Sequence, residues 1–221
     1  MTPAADHLRR DMLIAVELID PVTRLPVFRG VQLDAAGMAH APLIGWSGRF
    51  VWLAEGERWP QHFAFNPGTA PYEAETFAAP PPPVPPAQLP ADQRLQRFTL
   101  HPTVAYPFGD DLTVVRGQLR ETADPGAAPI PRARVWLRWT DQTGLPKQVD
   151  APHASRTDSQ GSFAAFLRLP AGARPALNKG LVVAHIMAER GGQTRMTAQD
   201  VPDGRLLDLR SALAWSAMTN V

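Results

Sequence analysis

The six histidines, His7, His40, His62, His101, His153 and His185, are the side chains most able to ligate a metal or carry a proton, and they are scattered along the chain. No pair stands four apart and none belongs to a His-Glu-x-x-His run, so no helix face gathers two ligands. There is no cysteine, which removes thiolate metal sites, disulfides and a cysteine nucleophile together. No glycine-rich phosphate loop, Gly-x-Ser-x-Gly elbow or paired-carboxylate motif occurs. Asp110-Asp111, beside Gly109, reads as a solvated turn ahead of a strand rather than a calcium or acid-base site. The expectation is no catalytic residue, no cofactor and no metal.

The tryptophans are the remaining candidates, because an exposed indole face stacks on a sugar ring or anchors a protein partner. Of six, Trp52 and Trp136 sit inside alternating strand patterns and read as core. Trp46, Trp59 and Trp139 lie near turns, and Trp215 lies in an apolar tail from Arg205 to Met218 that reads as a cover for a sandwich edge or a docking patch. Trp46, Trp59, Trp139 and Trp215 are therefore the candidate ligand or partner surface.

Lysine and arginine together exceed aspartate and glutamate by one (22 against 21), so no electrostatic footprint for nucleic acid is present. The apolar run Met12 to Val16 is broken by Glu17 and is too short for a secretory signal or a membrane span. The expected location is the cytoplasm, or a particle assembled there, with no membrane insertion.

The elements that must position these residues read as strands. Twenty-four prolines argue against a mainly helical protein. Strand patterns run over Leu13 to Ile19, Val27 to Leu33, Arg49 to Leu53, Gln61 to Phe65 and Tyr72 to Phe77. Others follow at Arg97 to Leu100, Leu112 to Arg120, Arg134 to Trp139, Phe163 to Leu169 and Leu181 to Ala188. Between the two groups, Ala79 to Pro90 carries seven prolines and reads as an extended polyproline II spacer. The expected architecture is all-β, with two β-sandwich domains joined by this linker: residues 1–78, linker 79–91, and 92–221.

The halves also repeat. Asp20-Pro21, Leu25-Pro26-Val27 and Ser47-Gly48-Arg49-Phe50 parallel Asp124-Pro125, Ala128-Pro129-Ile130 and Ser159-Gln160-Gly161-Ser162-Phe163. In the second half, Val114-Val115-Arg116-Gly117-Gln118-Leu119, Pro129-Ile130-Pro131-Arg132-Ala133-Arg134-Val135 and Arg156-Thr157-Asp158-Ser159-Gln160-Gly161-Ser162-Phe163 follow in order. Over residues 112–190 this series resembles the carboxypeptidase regulatory-like domain family, and residues 12–78 resemble it more faintly, with Trp46-Ser47-Gly48 in place of the usual threonine-aspartate. The resemblance implies transthyretin-like, Ig-like sandwiches acting as accessory, non-catalytic modules, and it transfers no catalytic residue. The functional expectation is a structural or adaptor protein joining other subunits of a larger assembly, such as a contractile phage-tail-like particle. The alternative is a carbohydrate-binding or surface-recognition module with a glycan as partner.

Overall fold

The computed structural model describes residues 11–54, 58–82, 84–85 and 88–221. His7 and the rest of the N-terminal reading before Asp11, together with Pro83, Pro86 and Ala87 of the proline-rich stretch, lie outside the described residues. The chain is all-β and divides into two compact units, 1–100 and 101–221.

The first unit contains β1 (Met12–Ile19), β2 (Gln32–Ala35), β3 (Leu43–Ile44), β4 (Phe50–Leu53), β5 (His62–Asn66), β6 (Glu75–Ala78) and β7 (Leu95–Thr99). One sheet runs β3-β4-β1-β7 and the other β2-β5-β6. Alternation along β4 buries Phe50 and Trp52, and alternation along β5 buries Phe63 and Phe65. These faces meet across the sandwich: Trp52 and Phe63 lie 5.4 Å apart by ring centroid, Phe98 of β7 lies 5.7 Å from Phe63, and it stacks on Phe77 of β6 at 4.5 Å.

The second unit contains β8 (Thr113–Arg120), β9 (Arg134–Asp141), β10 (Lys147–Asp150), β11 (Ser155–Arg156), β12 (Ser162–Leu167), β13 (Leu177–Asn178), β14 (Leu181–Val182), β15 (Ala184–Arg190), β16 (Gln193–Ala198), β17 (Leu206–Asp208), β18 (Leu213–Ala214) and β19 (Thr219–Asn220). One sheet runs β10-β9-β15-β16-β19 with β11 also on β9; a second runs β12-β8-β17 with β18 also on β8; β13 and β14 form a hairpin. Its core is mainly aliphatic, with Val115, Leu119, Ile130, Val135, Leu137 and Ile186 around Trp139 and Phe163.

The two units share one topology. In the first, β1 pairs antiparallel with β4 and parallel with β7; in the second, β8 pairs antiparallel with β12 and parallel with β17. The opposing sheets are likewise equivalent, β2-β5-β6 matching β9-β15-β16. The repeated Pro motifs coincide as well: Val27 donates its N–H to the Leu18 carbonyl at 2.8 Å, and Ile130 donates to that of Leu119 at 3.0 Å. Pro26 and Pro129 form isolated bridges to the last residues of β1 and β8.

This topology corrects the role expected for residues 79–91. The strand that follows them, β7, lies in register with β1, placing Arg97 opposite Glu17. The proline stretch therefore joins β6 to β7 inside the first unit, and the division falls after Leu100 rather than after residue 91. Ala79 and Leu89 are buried, and the Trp59 indole N–H donates to the Pro80 carbonyl at 3.0 Å. Lacking amide donors, the prolines cannot continue the ladder, so they carry the chain between sheets while side chains at either end anchor it.

Local differences from the predicted strands have local causes. The expected strand Val27 to Leu33 is reduced to Gln32–Ala35, because Gly30 turns the chain with φ +71°. The tail's Leu206–Asp208 lies along the β8 edge, the sandwich-edge role expected of it.

Candidate functional site

The turn between β3 and β4 is closed by backbone bonds: Gly48 N–H donates to the Gly45 carbonyl at 2.9 Å and Gly45 N–H to the Arg49 carbonyl at 3.0 Å. Gly48 has φ +76°, and a Cβ there would lie 2.5 Å from Cδ1 of Phe28. β3 ends its sheet, pairing only with β4 among the described strands. Its two side chains, Leu43 at 54% and Ile44 at 53% exposure, are both open, and Trp46 at the turn is fully exposed at 106%. Three large apolar side chains are thus exposed within four residues on an edge strand, a patch of a kind folded proteins ordinarily cover.

The other three candidate tryptophans are not part of it. Trp59 is half-buried and holds Pro80. Trp139, expected near a turn at the surface, is 2% exposed, because β9 continues to Asp141 and the inward side of its alternation includes Trp139. Trp215 is 7% exposed: a 3-10 helix, Trp215–Ala217, folds it against the core, and the Arg195 guanidinium lies 4.8 Å from its ring centroid. Trp139 and Trp215 thus withdraw from the surface predicted for them.

Trp136 moves the opposite way. Predicted as core, it is half-exposed on the outer face of β9, between Arg134 and Arg138. Its indole N–H donates to Asp150 Oδ1 at 2.8 Å. Arg138 grips both carboxylate oxygens, Nε to Oδ1 at 2.6 Å and Nη2 to Oδ2 at 2.9 Å. Arg134 pairs with Glu189 at 2.7 Å, and its guanidinium lies 5.6 Å from the Trp136 ring centroid. Hydrogen bonding from Arg138 holds the Asp150 carboxyl below the usual carboxylate range; burial opposes this, and the Trp136 N–H and the Arg138 charge reinforce it. The same hydrogen bonding raises Arg138 above its ordinary value. The alternation Arg134 to Trp139 carried the signal for this face: with Val135 and Leu137 inward, Trp136 must point out.

Among the described residues no group of three His, Asp or Glu side chains is arranged to hold a metal ion, and no helix is long and apolar enough to cross a membrane. No protein-family model matches the chain, and neither a curated protein nor a solved structure matches it.

Proposed function

We propose that this chain is a non-enzymatic structural or adaptor protein that docks onto another protein subunit of a larger assembly through the β3–β4 hairpin. The observation supporting the reading is the joint exposure of Leu43, Ile44 and Trp46 on an edge strand. The edge favours a polypeptide over a lipid surface, since the open N–H and C=O groups of β3 are complementary to a partner strand, while the apolar side chains supply burial worth roughly 25 cal/mol per Å². The units, each closed by its own core, would present the hairpin without reorganising.

The test is affinity purification of the tagged chain from its native host, with mass spectrometry and electron microscopy of what accompanies it. Wild type is expected to bring down defined subunits, tail-like proteins among them if the assembly is a contractile particle, and a Leu43→Ser, Ile44→Ser, Trp46→Ser variant is expected to lose them. An unchanged partner set in that variant, or capture by lipid vesicles instead of protein, defeats the reading.

A further inference from the structure

The outer face of β9 carries a second site, independent of the hairpin. Register places Glu189 of β15 opposite Arg134 and Met187 opposite Trp136, while Asp150 of β10 lies opposite Arg138. The result is a tryptophan flanked along its strand by two ion pairs. Around it runs a groove of about 380 Å³, rimmed further by Pro152, Ala154 and Thr194. That volume lies near the lower end of the roughly 300–1,000 Å³ typical of small-ligand sites, too small for a protein face.

The charges narrow the ligand class. Among the side chains lining the groove, two guanidinium groups face two carboxylates, so those side chains carry no net charge to recruit an ion. Each guanidinium already bonds a carboxylate, Arg138 in bidentate fashion, so an anion would meet cations whose charge is already paired. What remains is a half-exposed indole, with the Arg134 guanidinium 5.6 Å from its ring centroid, beside fixed donors and acceptors at its edge. The Trp136 N–H, held by Asp150, sets the ring's orientation before any ligand arrives. A pyranose complements this arrangement: its C–H face packs on an aromatic ring, and neighbouring hydroxyls, each both donor and acceptor, match a carboxylate beside a guanidinium.

We propose that the groove over Trp136 binds a neutral saccharide, with the indole as stacking platform and the Asp150–Arg138 pair holding its hydroxyls. The experiment is a titration of the full ¹⁵N-labelled chain, separately, with cellotriose, maltotriose and the trimer of N-acetylglucosamine, to about 10 mM each, the range that detects weak millimolar affinity. The Trp136 indole resonance is identified by its loss in Trp136→Phe. At least one trimer is expected to shift that resonance and the Thr194 amide saturably. Trp136→Ala and Asp150→Asn are expected to weaken binding about tenfold or more, and Trp136→Phe to retain part of it. Both positions are at the surface, and unchanged amide spectra away from the groove verify the fold. The proposal is overturned if no trimer shifts the Trp136 resonance, or if binding persists undiminished in a folded Trp136→Ala chain. It is also overturned if inorganic phosphate shifts that resonance while the sugars do not.

Discussion

The two units make the same glycine turn and treat the strand before it in opposite ways. In the second unit, Gly161 donates to Asp158 and Asp158 to Ser162, the same bonds that Gly48, Gly45 and Arg49 make in the first. The preceding residues diverge. Ser155–Arg156 crosses to the opposing sheet and pairs with β9, and Thr157 is pinned there. Its hydroxyl donates to the Ile130 carbonyl at 2.6 Å and accepts the Ala133 N–H at 2.9 Å. At the matching place in the first unit stands Ile44, which has no hydroxyl to bridge the sheets, and Leu43–Ile44 folds back on β4 as an exposed hairpin. The Thr157 hydroxyl thus accompanies a strand tucked into a sandwich, whereas its counterpart in the first unit is an exposed edge hairpin.

The largest effect that would break this comparison is at the turn glycines. A Cβ at Gly161, where φ is +72°, would lie 2.4 Å from the backbone oxygen of Leu119, which is fixed in β8. Gly161→Ala should cost about 3–5 kcal/mol, combining left-handed strain with overpacking against backbone. Gly48→Ala meets only the Phe28 ring, which can swing aside, and should cost about 1–2 kcal/mol. Urea unfolding of the full chain, with hydrogen exchange read on strands of each unit, measures both; equal costs would mean the turns are not supported differently.

Next in size, Thr157→Val leaves the buried Ala133 N–H and Ile130 carbonyl without that hydroxyl and should cost about 2 kcal/mol. Exchange should quicken along β11 and the adjoining end of β9. Its counterpart, Ile44→Thr, should leave stability within about 0.5 kcal/mol, because an exposed hydroxyl alone does not recruit the strand to the other sheet.

A smaller difference lies in charge. Glu17 is buried on β1 and takes hydrogen bonds from Arg97 at 2.7 Å and Arg49 at 3.4 Å. Burial pushes its carboxyl up, but the hydrogen bonds from Arg97 and Arg49 and their charges together outweigh it, leaving the value below the ordinary one. A depressed carboxylate contributes stability above its unfolded value, about pH 4.3, and loses it as pH falls through the folded value. Both arginines being substantially exposed, Glu17→Gln should cost only about 1 kcal/mol at neutral pH. The variant's stability should approach that of wild type on acidification below about pH 4. A gap that stays constant down to pH 2 would assign the cost to packing instead. The smallest effect is expected for Trp46→Ser, which should leave unfolding unchanged within about 0.5 kcal/mol.

Much of this was legible in the strands and little in their pairing. Alternation placed β4 and β9, and strand runs beside turn, glycine or proline signals placed β8 and β12, nearly as they stand, and the proline and glycine motifs marked the repeat. Trp139 was misplaced because the strand was ended at it, although the alternation that turns Val135 and Leu137 inward also takes in Trp139; Trp215 was misplaced because its burial depends on partners distant in sequence, the core and Arg195. β3 is two residues long and has no period to read. The proline stretch announced that it could not join a sheet, but whether the chain beyond it starts a new domain or returns to an old one depends on a parallel pairing, and parallel neighbours leave no turn signal between them.

That return governs the order in which the protein can be built. Hydrogen bonds between Glu17 and Arg97 join residues 80 apart, so during synthesis β1 waits with one edge open until nearly a hundred residues have emerged. A fragment cut at the prolines, where composition invites the cut, would keep its aromatic strands yet lack Phe98 and the closing strand, and would expose β1 as a template for misassociation.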